Sequence, residues 1–418
     1  MLAVALPVNP PARPGHTWQT DLARQFTLFV AILLSGGLLI FPRVPLLLLL
    51  LGLCLFLPGF RLALRRDTIP VVALVGLIVL VTLVRPGGVQ LEALAVRLGN
   101  FLAGFALLTL YLSLGAATLA RDLYRILGLM ALQALTTVGT WLVAPFLFLP
   151  LEIDDTVYHS VLLVLNYHHT VEAATSVIRP DGFFFEPGVF QIYLNLHLYL
   201  ALFVFRDLRR AALALAAVLS TQSTTGLAIC LLLIGGYTLL RLRQAPVRRK
   251  VLLTFCAAVV VVPIALFTYQ NAAQKLFGDL QGSTFARTYD LITGLNVLAE
   301  HPWIGIGFDH ERYRETSGSL GYNDTPLDLD KAAERTNSNG NIVLLYSAGI
   351  PLALPFFVGM FRQTFFRHRA LVGALLWLSF MTEALVLTPF FLLLIFSGLR
   401  LPSRRPMTAV VSRPLPAA

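Results

Sequence analysis

Long apolar runs separated by short polar stretches fill most of the chain, at 26–41, 44–60, 69–84, 101–114, 251–267 and 371–381. A helix needs about 20 such residues to cross a bilayer, and the shorter runs can draw on their flanks. With the weaker runs added, the pattern predicts an all-α, polytopic membrane helix bundle of about 12 spans. They are placed at 26–42, 44–60, 69–84, 98–117, 126–149, 183–205, 209–221, 223–240, 251–269, 341–361, 370–383 and 385–399. The segment 211–240 is long for one span and short for two, and its centre, Ser220-Thr-Gln-Ser-Thr-Thr-Gly226, is polar. A short helix pair broken at 222–225 is therefore expected, since non-helical backbone at membrane depth must be buried in protein or line a cavity. Two stretches are too polar to span: a loop over 150–182 and a larger one over 270–340.

Composition agrees with the pattern. The chain has 418 residues, 57% of them hydrophobic and 13% charged, with a mean hydropathy of +0.75; soluble domains carry about 25% charged residues. The polar, Pro-rich start shows no removable signal peptide. Cys54, Cys230 and Cys256 all fall in apolar stretches, which reads as packing and not as a disulfide or metal framework.

The net charge of +10 would suit nucleic acid, but its distribution excludes that partner. With the N-terminus in the cytoplasm, 22 of the 32 Lys and Arg residues fall in cytoplasmic segments, which is how membrane proteins are oriented. The expected organisation is a cytoplasmic tail over 1–25 and nine spans over 26–269, with a periplasmic loop at 150–182. The large periplasmic loop over 270–340, three spans over 341–399 and a cytoplasmic tail over 400–418 follow. The location implied is a bacterial inner membrane with its working face in the periplasm. No phosphate loop of the GxxxxGK[ST] type occurs, which argues against ATP-driven transport.

Several local patterns could carry chemistry. In Arg179-Pro-Asp-Gly-Phe-Phe-Phe-Glu-Pro-Gly188 an arginine precedes a strong turn signal, and Glu186 follows at the start of a span. A carboxylate within a span costs roughly 2.5–3.5 kcal/mol and normally faces a cavity. Either Arg179 meets an anionic headgroup above Glu186, or it is a boundary arginine beside a helix-capping Glu-Pro pair. In His301-Pro-Trp-Ile-Gly-Ile-Gly-Phe308, Gly305 and Gly307 either let the backbone approach a ligand or simply close a turn anchored by Trp303. The amides of Arg335-Thr-Asn-Ser-Asn-Gly340 either cap the next helix or meet sugar hydroxyls. Arg287 and Arg335 supply forks that match phosphate oxygens. Glu383 is a second carboxylate that could line the same cavity. His159, His168 and His169 lack zinc-ligand spacing and read as surface histidines.

In their order along 179–383 these pieces resemble the O-antigen ligase/polymerase family of bacterial surface polysaccharide assembly, the Wzy-type polymerases and their relatives. Arg179-Pro-Asp-Gly-Phe183 is similar to the family's R-x-x-G-F segment, 219–226 to its T-x-S-R-G turn, and 301–308 to its H-P-L-x-G-x-G-F element. Ser338-Asn339 with Gly349-Ile350 is similar to its H-N-x(9)-G-I segment. Two positions depart: Thr224 stands where the family has arginine, and Ser338 where it has histidine.

The resemblance implies a glycosyltransferase-type enzyme that polymerises undecaprenyl-diphosphate-linked repeat units into exopolysaccharide. Ligase and lipid-linked oligosaccharide transporter are the alternatives, and no internal repeat of the kind common in transporters is present. It further implies that Arg179, Arg287 and Arg335 meet diphosphate, that Asn337, Asn339 and Asp309 hold sugar, and that Glu186 or Asp309 is the base. No metal or other cofactor is expected. Membrane lipid and a chain-length regulator or polysaccharide co-polymerase are the further partners implied.

Overall fold

A computed structural model describes residues 18–37, 41–57, 65–85, 91–153, 156–168, 178–277, 281–308, 312–315 and 337–401. The predicted apolar runs are helical. Helices α1 (Trp18–Leu34), α2 (Arg43–Phe56), α3 (Ile69–Val84), α4 (Leu91–Leu114) and α5 (Ala116–Val143) form the first half. Then come α6 (Pro187–Tyr199), prolonged by a π-helical turn over Leu200–Phe205, α7 (Leu208–Thr221), α8 (Thr224–Gln244) and α9 (Val247–Phe277). The last set is α10 (Gln281–Glu300), α11 (Gly340–Ala348), α12 (Ile350–Arg362), α13 (Arg369–Phe380) and α14 (Pro389–Gly398). Six helical stretches are long and apolar enough to cross a membrane, and four shorter apolar helices accompany them. The protein is thus a helical membrane protein.

Three features differ from the expectation. The stretch 150–182 is not merely loop: β1 (Leu149–Ile153), β2 (Thr156–Val161) and β3 (Leu165–His168) form an antiparallel sheet in that order. The expected span 341–361 is divided at Gly349, whose φ of +78° ends α11 and begins α12. The large loop contains α10, while the helix before it runs on to Phe277, past the predicted end at 269.

The break between α7 and α8 falls where the polar run placed it. Gln222 takes a left-handed conformation, φ +51°, and the Ser223 hydroxyl accepts the Gly226 N–H at 3.3 Å to start α8. Asp207 opens α7 in the same way, accepting from the N–H groups of Arg209 and Arg210. At the centre of the bundle lie α6, buried over 83% of its span, and α14, buried throughout, whereas α9 is 6% buried and peripheral. Tyr193, Phe390, Phe391 and Phe396 fill this centre, with Tyr193 hydrogen-bonded to the Ser35 carbonyl at 2.8 Å.

The bundle has two distinct ends. At one, Arg24 clamps the fully buried Asp122 with two hydrogen bonds, and Arg400 pairs with Asp67. At the other, the end of α1 bridges to Phe184 through Gly37. Arg85, at the end of α3, reaches the 301–308 turn there. The sheet, the 179–186 segment and the α7–α8 break all lie at this second end.

Candidate active site

The sheet fixes the Arg179 turn. Asp181 N–H donates to the Asn166 carbonyl at 2.9 Å, Asn166 Nδ2 donates to the Gly182 carbonyl at 2.7 Å, and Tyr158 donates to the Phe185 carbonyl at 2.9 Å. Gly182 has φ +63° and packs against the Phe190 ring, so a side chain there would be both strained and crowded. Arg179 Nε donates to the Thr221 carbonyl at 3.0 Å, which ties the turn to the end of α7. That contact leaves the two Nη groups of the fork without a hydrogen-bond partner among the described residues.

Two more cations face Arg179. Lys275, in the last turn of α9, donates to Thr224 Oγ1 at 3.0 Å, and Asn271, one turn earlier, donates to the Gln222 carbonyl at 2.7 Å. Arg287 of α10 lies within electrostatic range of Arg179, Lys275 and Glu383. The Lys275 ammonium therefore stands against the residue that replaces the family's turn arginine. Sequence reasoning counted Lys275 only as a loop charge, because the polar end of α9 reads as the start of the loop.

Beneath the cations, Glu186 and Glu383 approach each other. A Cβ on Gly188 would stand 2.5 Å from Glu383 Oε1 and 3.2 Å from Glu186 Oε1. Glu383 lies in the connection between α13 and α14, not within a span, and is 3% exposed. Burial, and then the neighbouring Glu186 carboxyl, raise its pKa well above the ordinary range. A buried carboxyl beside a second one favours its protonated form, so Glu383 holds its proton.

A second constellation was not foreseen. Asp290, one turn after Arg287 and 2% exposed, accepts from Ser338 Oγ at 2.6 Å and from Ser338 N at 3.0 Å. Asn337 Nδ2 donates to the Asp290 carbonyl at 2.6 Å and to Tyr313 Oη at 3.2 Å. Two residues after Ser338, Gly340 packs against the Glu383 backbone carbonyl, leaving no room for a Cβ. The clue available in the sequence was spacing: Arg287 and Asp290 are three apart and share a helix face.

Several expected site residues do other work. Asn337 is engaged with Asp290 and accepts from its neighbour's N–H, and Asn339 caps α11 by accepting the Ile342 N–H at 3.2 Å. Both amides thus organise their own chain. Gly305 and Gly307 are structural: Ile306 N–H donates to the Tyr346 carbonyl at 2.7 Å and Gly307 N–H to the Ser347 carbonyl at 2.9 Å. A Cβ on Gly305 or Gly349 would collide with the facing backbone, which is why glycines stand at this crossing. Arg335 and Asp309 lie outside the described residues.

His168 is not a surface histidine. Its Nδ1 lies 2.8 Å from Asp181 Oδ2, while His159 stacks on Tyr167 and His169 lies outside the described residues. Among the described residues no cluster of three or more metal-ligating side chains occurs.

Burial pushes the Asp181 carboxyl up to about 7 against the pull of His168. Burial opposes the His168 imidazolium, but the Asp181 hydrogen bond and charge outweigh it, so His168 is raised. Both folded-state values exceed the unfolded ones, near 3.9 for Asp and 6.5 for His, so their contribution to stability falls as pH rises. The thermal midpoint in detergent is expected to drop from pH 5 to pH 8, and Asp181→Asn should remove the part of the drop below pH 7. A wild-type midpoint flat across that range would contradict this environment for the pair.

Residues 211–357 match the family model described as O-antigen ligase (Wzy_C). The matched segment runs from α7 into α12 and contains the α7–α8 break, Lys275, Arg287, Asp290, the 301–308 turn and Ser338. No curated protein matches the chain.

Proposed function

Starting from an O-antigen ligase domain over residues 211–357, consistent with the O-antigen ligase/polymerase family, we propose that the protein polymerises polyprenyl-diphosphate-linked oligosaccharides at the outer face of the bacterial inner membrane. The observation that carries this reading is the convergence of Arg179, Lys275 and Arg287 on one point, with forks free to take an anion. Such donors stabilise charge where it develops, on the departing diphosphate. At 4 Å and an effective dielectric near 20, each cation is worth about 4 kcal/mol before desolvation.

The chemistry then follows from two bonds. The acceptor sugar oxygen bonds to the donor's anomeric carbon as that carbon's bond to the diphosphate oxygen breaks, and the electron pair leaves with the diphosphate. The acceptor's proton passes to Ser338 Oγ while the Ser338 proton moves to Asp290 Oδ2. A serine hydroxyl alone is a poor base near neutral pH, whereas one hydrogen-bonded to a buried carboxylate can relay a proton. This replaces Glu186 or Asp309 as the proposed base. Glu383, kept protonated by burial and by the neighbouring Glu186 carboxyl, limits the negative charge beneath the cations.

The test incubates purified protein with lipid-linked repeat units in detergent, without added nucleotide or metal. A ladder of lengthened lipid-linked glycan is the expected product. Transfer only to a lipid core or protein would assign ligase activity instead, and no transfer to any acceptor would overturn the enzymatic reading.

A further inference from the structure

A second group of arginines gathers at the same end of the bundle, apart from Arg179, Lys275 and Arg287. Arg85, following α3, donates to the carbonyls of Ile304 and Gly305. The Arg97 guanidinium, in α4, lies 5.2 Å from the Phe308 ring centroid. Arg312 Nη1 donates to the Ile306 carbonyl at 3.4 Å, and Arg43, first residue of α2, lies within electrostatic range of Arg97. Three guanidinium groups thus meet one turn, at 304–308, with Arg43 within electrostatic range of one of them.

Like charges do not gather without cause. Among the described residues no carboxylate pairs with Arg43, Arg85 or Arg97, and no hydrogen bond ties Arg97 to another described residue. Burial, then the neighbouring Arg312, pushes Arg85 down to about 10. These arginines also run against the orientation rule. On the charge-derived topology they lie at the outer ends of α2, α3 and α4, the face on which Lys and Arg are depleted. An arrangement that is costly for folding and for insertion, and that pairs none of Arg43, Arg85 and Arg97 with a carboxylate among the described residues, fits an anion supplied from outside the chain.

The second group lies near the proton relay. Tyr346 lies within electrostatic range of both Arg97 and Asp290, and it stacks on Tyr313 with ring centroids 4.8 Å apart.

We propose that Arg43, Arg85 and Arg97 form a second diphosphate site, which holds the headgroup of the acceptor lipid while Arg179, Lys275 and Arg287 hold that of the donor. The proposal rests on the polymerase reading, in which both substrates carry a diphosphate. It adds that the two headgroups bind simultaneously on separate arginines.

Stoichiometry tests it. Undecaprenyl diphosphate is titrated onto the purified full-length protein, and bound lipid is counted by native mass spectrometry. Two equivalents are expected for the wild type, one for Arg85→Gln/Arg97→Gln, and one for Arg287→Ala. Arg97→Lys should retain the second equivalent at weaker affinity, and the donor equivalent kept by Arg85→Gln/Arg97→Gln shows that this variant is folded. Inorganic pyrophosphate should compete for both equivalents, while phosphatidylglycerol should displace neither.

A single equivalent on the wild type, two on the double variant, loss of both from it, or displacement of the second by phosphatidylglycerol would overturn the proposal. Ladder formation is read in the same preparation. Two bound lipids without a ladder would remove the polymerase reading and leave the site standing. A ladder with one bound lipid would remove the site alone.

Discussion

Cells carrying Arg287→Ala should contain the protein folded and inserted in the membrane yet make no long-chain glycan. Arg287 is half-buried on α10, and no hydrogen bond ties it to another described residue, so its removal leaves the packing intact. What is lost is one of the three charges proposed to face the leaving diphosphate. Removing one such donor typically slows the chemical step about 10²–10³-fold. Arg179→Ala should act similarly, with some loss of order in the turn because Nε holds the Thr221 carbonyl. Arg287→Lys should recover part of the rate, since it keeps the charge and loses the fork. The measurement is glycan length on gels alongside the amount of membrane-inserted protein. Wild-type chain length in both alanine variants would refute the donor site.

Asp290→Asn is expected to give the second large effect, a rate lower by about 10²–10⁴-fold, the usual contribution of a positioned base. Asparagine keeps the shape and can still accept from Ser338 N–H and Oγ, so the fold should survive; only the capacity to take a proton goes. Ser338→Ala should lose a comparable factor through removal of the relay. Ser338→His should partly restore Asp290→Asn, because an imidazole can take the proton itself. The discriminating readout is the split between turnover and binding: Asp290→Asn should slow transfer while leaving binding of the donor lipid unchanged. A wild-type rate in Asp290→Asn would make the carboxylate a structural group.

How much of this was legible in the sequence varied with the range of the interaction. Helices came through because burial in lipid demands long apolar runs, and the α7–α8 break because six polar residues cannot lie in lipid unpaired. Arg179, Glu186, Arg287 and Glu383 were singled out as charges in unusual places, and the structure brings these four together. The three strands were missed. Their alternation, as in Thr156-Val-Tyr-His-Ser-Val161, was present but short, and it lay in a segment already read as loop. Asp290 was missed because its three-residue spacing from Arg287 is a weak signal by itself; its meaning comes from Ser338, 48 positions later. The glycines at 305 and 307 read equally well as ligand contacts or as packing. The carbonyls of Tyr346 and Ser347, which decide between these, are remote in sequence.

The clasp between α10 and α11 has a consequence for how such a protein can diversify. Asp290 holds both Asn337 and Ser338 at the entry to α11, and Tyr313 stacks on Tyr346 within it. Side chains that share one hydrogen-bond network do not contribute additively. A substitution on either partner of this contact is therefore expected to be tolerated only with a matching change on the other, so the two segments should vary as a unit.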